Sequence, residues 1–183
     1  MAARARPPTD LPVRVALTGT PGVGKTTLAA LAAADGWTVV DVKAWAKQEG
    51  CVVDYDEADE AAVIDIKRLA KRMPKGGRRL FEGHLSHLLP VDVAWVVRCD
   101  PDVLRGRLKA RGYSPAKVAE NLEAEALDII LQEALDGVGR VIQRDGTRRS
   151  PQALYKAFAE AGLGSAKADD LEAVDWSDRL PIA

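Results

Sequence analysis

The chain has 183 residues, of which 47% are hydrophobic and 29% charged, a composition typical of a globular protein large enough for one α/β domain. The net charge of −1 excludes a global basic field, so no strong direct nucleic-acid binding is expected. No apolar run approaches membrane-spanning length, and the two cysteines, Cys51 and Cys99, show neither metal-site spacing nor a disulfide framework. We therefore expect a cytoplasmic protein with no membrane segment.

Strand and helix patterns alternate along the chain. Apolar runs typical of strands cover residues 13–17, 37–40, 79–82, 91–97 and 139–143. Helical spacing or helix-start signals cover residues 26–34, 42–49, 61–73, 100–111, 114–135 and 151–160. Residues 51–60 are acidic and irregular, and the tail from residue 164 has little pattern, with Trp176 as a candidate anchor onto the core. Five strands separated by helices predict an α/β fold with a five-stranded parallel sheet and helices on both faces.

The most informative segment is residues 19–26, which read GTPGVGKT and match the pattern G-x-x-x-x-G-K-[ST]. Gly22 and Gly24 allow the backbone to wrap a phosphate closely, with N–H groups pointing inward. Lys25 supplies positive charge to the β- and γ-phosphates, and the hydroxyl of Thr26 is a ligand for Mg²⁺. The alternative is an ordinary glycine turn between a strand and a helix. In this context the pattern predicts the P-loop nucleoside triphosphate hydrolase fold.

Further candidates follow from the rule that parallel α/β sheets bind ligands at the carboxyl ends of their strands. Glu82, Gly83 and His84 stand at the end of the third predicted strand. Glu82 is expected to hold Mg²⁺, directly or through water, and Gly83 to allow close approach of a substrate. His84 could orient a water molecule or bind a phosphate. The alternatives are a surface salt bridge for Glu82 and a packing role for His84.

Two arginines, Arg107 and Arg111, stand four residues apart on one face of a predicted helix, just before the break at Gly112. From there they could move over a nucleotide, neutralise charge on a transferred phosphoryl group or stack on adenine. The alternative is a solvated basic face, because Arg105 and Lys109 share the same helix.

Three segments together resemble an atypical adenylate kinase family of archaea and eukaryotic nuclei, called adenylate kinase isoenzyme 6 in the latter. The segments are LTGTPGVGKTT at residues 17–27, EGH at 82–84, and RLKARGY at 107–113 with the following ENLEAE at 120–125. The resemblance covers residues 13–160. It implies a nucleoside monophosphate kinase-like fold with a short lid. The implied parts are a kinase core at residues 13–163, an AMP-binding insertion at about 41–64, a lid at about 110–120, and terminal extensions at 1–12 and 164–183.

The resemblance also implies an activity: reversible phosphoryl transfer from ATP to AMP with Mg²⁺, together with slower ATPase activity. Carried over by position, the residues expected on ATP are Gly22, Gly24, Lys25, Thr26, Thr27 and the lid residue Arg111, to which Arg107 is added from its place on the helix. An alternative is an ATP-driven assembly factor that matures the small ribosomal subunit through a ribosomal protein. A kinase for another nucleoside monophosphate is a further alternative.

Two positions depart from the family pattern. Glu82 stands where eukaryotic members tend to carry aspartate, so its carboxylate is one methylene further from the backbone. Lys47 stands where an arginine is expected in the AMP-binding helix, and lysine lacks the bidentate phosphate contact of arginine. Taken with the residues at the strand ends, the predicted AMP contacts are Lys47 and Gly83, and the predicted catalytic residues are Lys25, Glu82, His84 and Arg111.

Overall fold

Strands and helices alternate in the computed structural model, which describes residues 13–56, 61–163 and 168–179. The strands are β1 (Val13–Thr18), β2 (Thr38–Asp41), β3 (Val52–Asp56), β4 (Ala61–Ile64), β5 (Arg78–Glu82), β6 (Val93–Arg98), β7 (Val141–Asp145) and β8 (Asp170–Leu171). The helices are α1 (Lys25–Ala34), α2 (Val42–Gln48), α3 (Ile66–Ala70), α4 (Pro101–Ala110), α5 (Pro115–Ala126), α6 (Ile129–Gly137) and α7 (Pro151–Glu160). The predicted N-terminal extension at residues 1–12 lies outside the described residues.

The main sheet has the strand order β2-β5-β1-β6-β7-β8, and all neighbouring strands are parallel. All five strands predicted from the sequence are present, which confirms the parallel α/β class. A sixth strand, β8, adds two residues at one edge, from a tail whose sequence gave no strand signal. Because β1 lies between β5 and β6, the residues that follow these three strands meet at one end of the sheet.

Helices cover both faces of this sheet, as predicted. Val15 and Leu17 of β1 pack on one face with apolar side chains of α1, α4 and α7. Ala16, between them, faces the opposite side and packs with Ala94 and with apolar side chains of α6. Strand β6 is buried along its whole length, in agreement with its continuous apolar run. The alternation of the strand side chains thus divides the core between two helical layers.

Three helices begin at the capping signals that the sequence contains. Asp100, Ser114 and Ser150 are the N-caps of α4, α5 and α7, and each is followed by a proline in the first turn. In each case the side-chain oxygen accepts a hydrogen bond from a backbone N–H of the first turn, an interaction that stabilises a helix by about 1 kcal/mol. None of the helices in the described ranges is both long and apolar enough to span a membrane.

The prediction of a helix at residues 61–73 is wrong for the first part of that range. Residues 61–64 form β4, which pairs with β3 in an antiparallel hairpin, and the helix α3 starts only at Ile66. The side chain of Asp65 caps α3 by accepting a hydrogen bond from Arg68 N at 2.9 Å. Apolar residues spaced for a helix also fit a strand followed by a short helix, so the spacing alone could not separate the two. Residues 51–60, predicted as irregular, contain β3, and residues 57–60 lie outside the described residues.

The long helix predicted at residues 114–135 is divided into α5 and α6. The break falls at Leu127 and Asp128, where Asp128 has a φ of 58° in the left-handed region. The carboxylate of Asp128 accepts a hydrogen bond from the guanidinium of Arg98, which offsets the strain of this backbone conformation. The break therefore depends on a partner that is distant in the sequence.

Candidate active site

A cavity of about 600 Å³ opens at the carboxyl ends of β1, β2 and β5. Its walls are the loop after β1, the first turn of α2, strand β4, the loop after β5, and the segment between Arg111 and Ile130. The cavity lies where the topology of a parallel sheet places ligands. It brings together residues from both predicted substrate regions, the phosphate loop and the insertion that begins at Asp41.

The phosphate loop closes tightly between β1 and α1. Gly22 has a φ of 92°, which strains any other residue, and a Cβ atom there would lie 2.9 Å from a methyl carbon of Leu104, so that side chain would have to move. Gly24 has a φ of 114° at the N-cap of α1, so the helix starts directly from the loop. Both glycines line the cavity. The loop can therefore offer backbone N–H groups and a helix N-terminus to an anion.

Lys25 is buried, with 7% of its surface exposed. Its Nζ donates hydrogen bonds to the backbone oxygens of Gly19, at 2.6 Å, and Thr20, at 3.0 Å. Burial lowers the pKa of Lys25 to about 8, against the opposing attraction of Glu82 and Glu125. The ammonium group is thus held inside the loop, where a bound phosphate would meet it.

Thr26 and Glu82 form the oxygen-rich part of the site. The Thr26 hydroxyl donates to Glu82 Oε1 at 3.4 Å, across from the loop to the end of β5. Burial raises the pKa of Glu82, and the positive charge of Lys25 opposes this effect. In the described ranges no cluster of three or more histidine, cysteine or acidic side chains could hold a metal. A hydroxyl and one carboxylate fit Mg²⁺, which completes its octahedron with phosphate oxygens and water.

His84 stands on the cavity wall and is exposed to the cleft. Partial desolvation of the ring by the nearby protein is the largest cause that lowers the pKa of His84, to about 4. The positive charge of Lys25 is the next largest cause, and His87, Lys117 and Lys43 act in the same direction. The ring is therefore neutral at physiological pH and can accept a hydrogen bond from water or a ligand.

The two predicted arginines have different surroundings. Arg111, directly after α4, is exposed and lines the cavity. Arg107 is outside the lining and instead donates to the backbone oxygens of Gly22, at 3.5 Å, and Thr147, at 3.3 Å. Arg107 thus braces the phosphate loop from behind, whereas Arg111 is free to approach a ligand.

Of the other residues predicted to contact a nucleotide, some line the cavity and some do not. Gly83 lines the cavity, but Thr27 and Lys47 are exposed residues that do not. Lys43, one turn before Lys47 on the same face of α2, does line it. The sequence prediction did not include Lys43 or Lys117 of α5, another lining residue. Their common signal was a basic residue near a helix start, which is frequent on protein surfaces.

His87 lies beneath the site and contacts it indirectly. The ring is 2% exposed, with Nδ1 2.9 Å from the Thr18 hydroxyl and Nε2 3.0 Å from Glu133 Oε2. The tautomer with its hydrogen on Nε2 satisfies both partners, since Nε2 then donates to the carboxylate and Nδ1 accepts from the hydroxyl. Burial lowers the pKa of His87, and the contact with Glu133 opposes this effect.

We predict that His87 makes folding stability decrease in mild acid. Its pKa is lower in the folded chain than its usual value of about 6.5, so the unfolded chain binds more protons below that pH. The stability from this residue is complete above the unfolded pKa and is lost as the pH falls towards the folded one. Between about pH 7.5 and about pH 5.5 the loss is up to about 1 kcal/mol.

Urea unfolding of the wild type and of His87→Asn at several pH values measures this effect. The difference in unfolding free energy between the two proteins should narrow as the pH falls. The pKa of His84 is also lowered, so His84→Asn is measured in parallel to give the separate contribution of that histidine. A difference that stays constant across the range would show that His87 is not the titrating group.

Comparison with known proteins agrees with the geometry of the site. Residues 15–128 match the family model described as AAA domain. An Archaeoglobus fulgidus protein named "Putative adenylate kinase" is 43% identical over 169 residues, which are 91% of this chain and 93% of the relative. A Natronomonas pharaonis protein of the same name is 39% identical, over 92% of this chain and 100% of the relative. A third protein of this name, from Pyrococcus abyssi, is 38% identical over 90% of this chain and 91% of the relative.

Solved structures share the fold at low sequence identity. A gluconokinase from Sinorhizobium meliloti 1021 superimposes with a TM-score of 0.51 and 16% identity, covering 85% of this chain and 94% of the gluconokinase. A shikimate kinase from Bacteroides thetaiotaomicron superimposes with a TM-score of 0.50 and 18% identity, covering 82% of this chain and 96% of the shikimate kinase. These likenesses support the P-loop kinase fold alone, and the sequence relatives supply the family. The chain belongs to the AAA-domain family and to the atypical adenylate kinase family of its archaeal relatives.

Proposed function

We propose that the protein transfers the γ-phosphoryl group of ATP to AMP, giving two ADP, and hydrolyses ATP more slowly. The observation that carries this proposal is one cavity that joins the phosphate loop to a second group of basic side chains. Lys25 and the Thr26–Glu82 pair lie at the loop. Lys43, His84 and Lys117 line another part of the cavity, where Lys117 is paired with Glu120 at 2.8 Å. A site for one triphosphate and one further anion suits transfer between two nucleotides. The names of the archaeal relatives support the same choice.

The residues of the cavity supply positioning and charge neutralisation, which are the main requirements of phosphoryl transfer. Lys25 would bind the β- and γ-phosphates, and Arg111 would neutralise charge on the transferred group. Thr26 and Glu82 would hold Mg²⁺, which would neutralise part of the phosphate charge. The phosphate of AMP attacks directly, so no residue needs to act as a general base in the transfer. Closure of the segment after Arg111 would exclude water and limit hydrolysis.

Product analysis tests the proposal. Purified protein is incubated with Mg²⁺ and ATP, alone and together with each nucleoside monophosphate, and the nucleotides are separated. We expect AMP to accelerate the consumption of ATP and to be converted to ADP. Conversion of a different monophosphate, with AMP unchanged, would reassign the acceptor.

The alternative, an ATP-driven assembly factor acting on a ribosomal protein, would use the same site. The observation in its favour is that His84 lines the cleft as an exposed residue with a lowered pKa, so its ring is neutral and suited to accept a hydrogen bond from an attacking water. Under this alternative ATP is hydrolysed and AMP does not accelerate turnover. The same product analysis therefore separates it from the kinase.

We predict that Lys43, and not Lys47, contributes to binding of the acceptor. Lys43 lines the cavity beside His84, whereas Lys47 is exposed outside it. Loss of one charge-assisted contact to a phosphate should raise KM for AMP by about fivefold to tenfold in Lys43→Met. Lys47→Met is the matched control and should change it less than about twofold. Initial rates at varied AMP and saturating ATP measure both, and equal effects would remove the distinction.

A further inference from the structure

A buried carboxylate lies beneath the phosphate loop and is not used in the mechanism above. Glu125, in α5, is 2% exposed, and both of its oxygens accept hydrogen bonds. Oε2 accepts from the hydroxyl of Thr20 in the phosphate loop. Oε1 accepts from Arg98 Nε at 2.8 Å and from the backbone N–H of Cys99 at 2.9 Å. Since Thr20 is only 1% exposed, this contact between the loop and α5 is sealed from solvent.

The carboxylate is held rigidly because its charge partner is itself fully engaged. Arg98 is 2% exposed, and its guanidinium also donates to the backbone oxygen of Glu125 at 2.7 Å, to Gln143 Oε1 at 3.2 Å, and to Asp128. The ring of Trp176 covers it, with the guanidinium carbon 5.0 Å from the ring centre. A buried ion pair with all of these hydrogen bonds made cannot shift without leaving a buried polar group unsatisfied.

Thr20 connects this rigid pair to the ammonium group of the site. The Thr20 hydroxyl is held by Glu125, and the backbone oxygen of the same residue accepts a hydrogen bond from Lys25 Nζ at 3.0 Å. Three consecutive contacts therefore run from Arg98 through Glu125 and Thr20 to Lys25. Helix α5, which carries Glu125, also supplies Lys117 and Asn121 to the lining of the cavity.

We propose that Glu125 is a positioning residue that fixes the phosphate loop, through the Thr20 hydroxyl, in the form that receives the triphosphate. A loop that is already ordered loses less conformational freedom when ATP binds, so the affinity for ATP is higher. Because the contact fixes the phosphate loop itself, we expect the effect on ATP and not on AMP. The expected KM values rest on the proposed kinase function, whereas the expected order of the loop and its affinity for ATP do not.

The test compares three variants with the wild type. Thr20→Val keeps the volume and removes the hydroxyl, Thr20→Ser restores the hydroxyl, and Tyr155→Phe removes a hydroxyl that donates to Asp35 at 2.6 Å, away from the cavity. For Thr20→Val we expect KM for ATP to rise by about fivefold to tenfold, with KM for AMP within about twofold of the wild type. Thr20→Ser should return KM for ATP to within about twofold, and Tyr155→Phe should not change it.

Two readouts do not depend on turnover. Hydrogen–deuterium exchange of a peptide covering residues 19–26 should be faster in Thr20→Val and normal in the other two variants. Titration of each protein with Mg²⁺ and ATP should show the same loss of affinity. These readouts decide the role of Glu125 even if the product analysis shows no transfer to AMP, so failure of the proposed function remains distinguishable.

Other results would overturn the proposal. Unchanged exchange and unchanged ATP affinity in Thr20→Val would show that the loop does not need this contact. A lowered Tm with equal increases in both KM values, not rescued by serine, would show a general structural role. If Thr20→Val does not fold, Thr20→Ala, which introduces no new methyl group in place of the hydroxyl, is tested against the same outcomes.

Discussion

Lys25→Met is expected to lower the rate of phosphoryl transfer from ATP by about a hundredfold or more. The ammonium of Lys25 lies within the phosphate loop, bonded to the backbone oxygens of Gly19 and Thr20. Negative charge builds on the leaving oxygen in the transition state, so a buried positive charge beside the β- and γ-phosphates stabilises that state more than the bound substrate. Methionine keeps most of the side-chain length and removes the charge together with the two hydrogen bonds to the loop. The decrease should therefore appear mainly in kcat, and hydrolysis of ATP should decrease with it.

Lys47→Met is a suitable control, since it removes an exposed lysine outside the cavity. Circular dichroism and the Tm of each variant show whether the fold is kept. Burial already disfavours the charged form of Lys25, so its removal need not destabilise the chain. Near-normal turnover in folded Lys25→Met would mean that the phosphate loop is not where the reaction occurs.

The sequence predicts the phosphate loop and the strand ends well because their signals are local. Residues 19–26 specify the loop by themselves, and strand β5 ends at Glu82 because a buried apolar run stops there. Parallel pairing then brings both to one end of the sheet, as in any fold of this class. The helix starts at Asp100, Ser114 and Ser150 are local signals of the same kind. These local signals predict a nucleotide-binding kinase fold without knowledge of any contact between distant residues.

Other parts of the site depend on contacts that a sequence pattern does not contain. Lys43 and Lys47 share one face of α2, and only the position of that helix relative to the cavity distinguishes them. Glu125 is one of several acidic residues in an amphipathic helix, where an exposed position is the usual expectation. Glu125 is buried because it pairs with Arg98, the last residue of β6, which is 27 residues away in the chain. Strand β8 likewise forms without an apolar pattern, through contacts such as that of Arg144 with Asp170.

His84→Ala is expected to reduce ATP hydrolysis by about tenfold to a hundredfold while leaving transfer to AMP within about threefold. Hydrolysis requires a water molecule held in line with the γ-phosphate, whereas in transfer the phosphate of AMP takes that position. His84 lies on the cavity wall beyond Glu82, with its pKa lowered to about 4. Its neutral ring can accept a hydrogen bond from such a water at physiological pH, which a protonated ring could not do. The residue thus has the chemistry that one reaction needs and the other does not.

Steady-state rates of both reactions in the same preparation measure this difference. His84→Gln is the informative second variant, because its amide oxygen can also accept a hydrogen bond from water and should restore part of the hydrolysis. Lys47→Met serves as the control, since it changes an exposed lysine outside the cavity. Equal losses of hydrolysis and transfer in His84→Ala would assign His84 to the phosphate site that both reactions share. A selective loss would instead place the choice between water and AMP at this residue, because the rest of the cavity serves both acceptors.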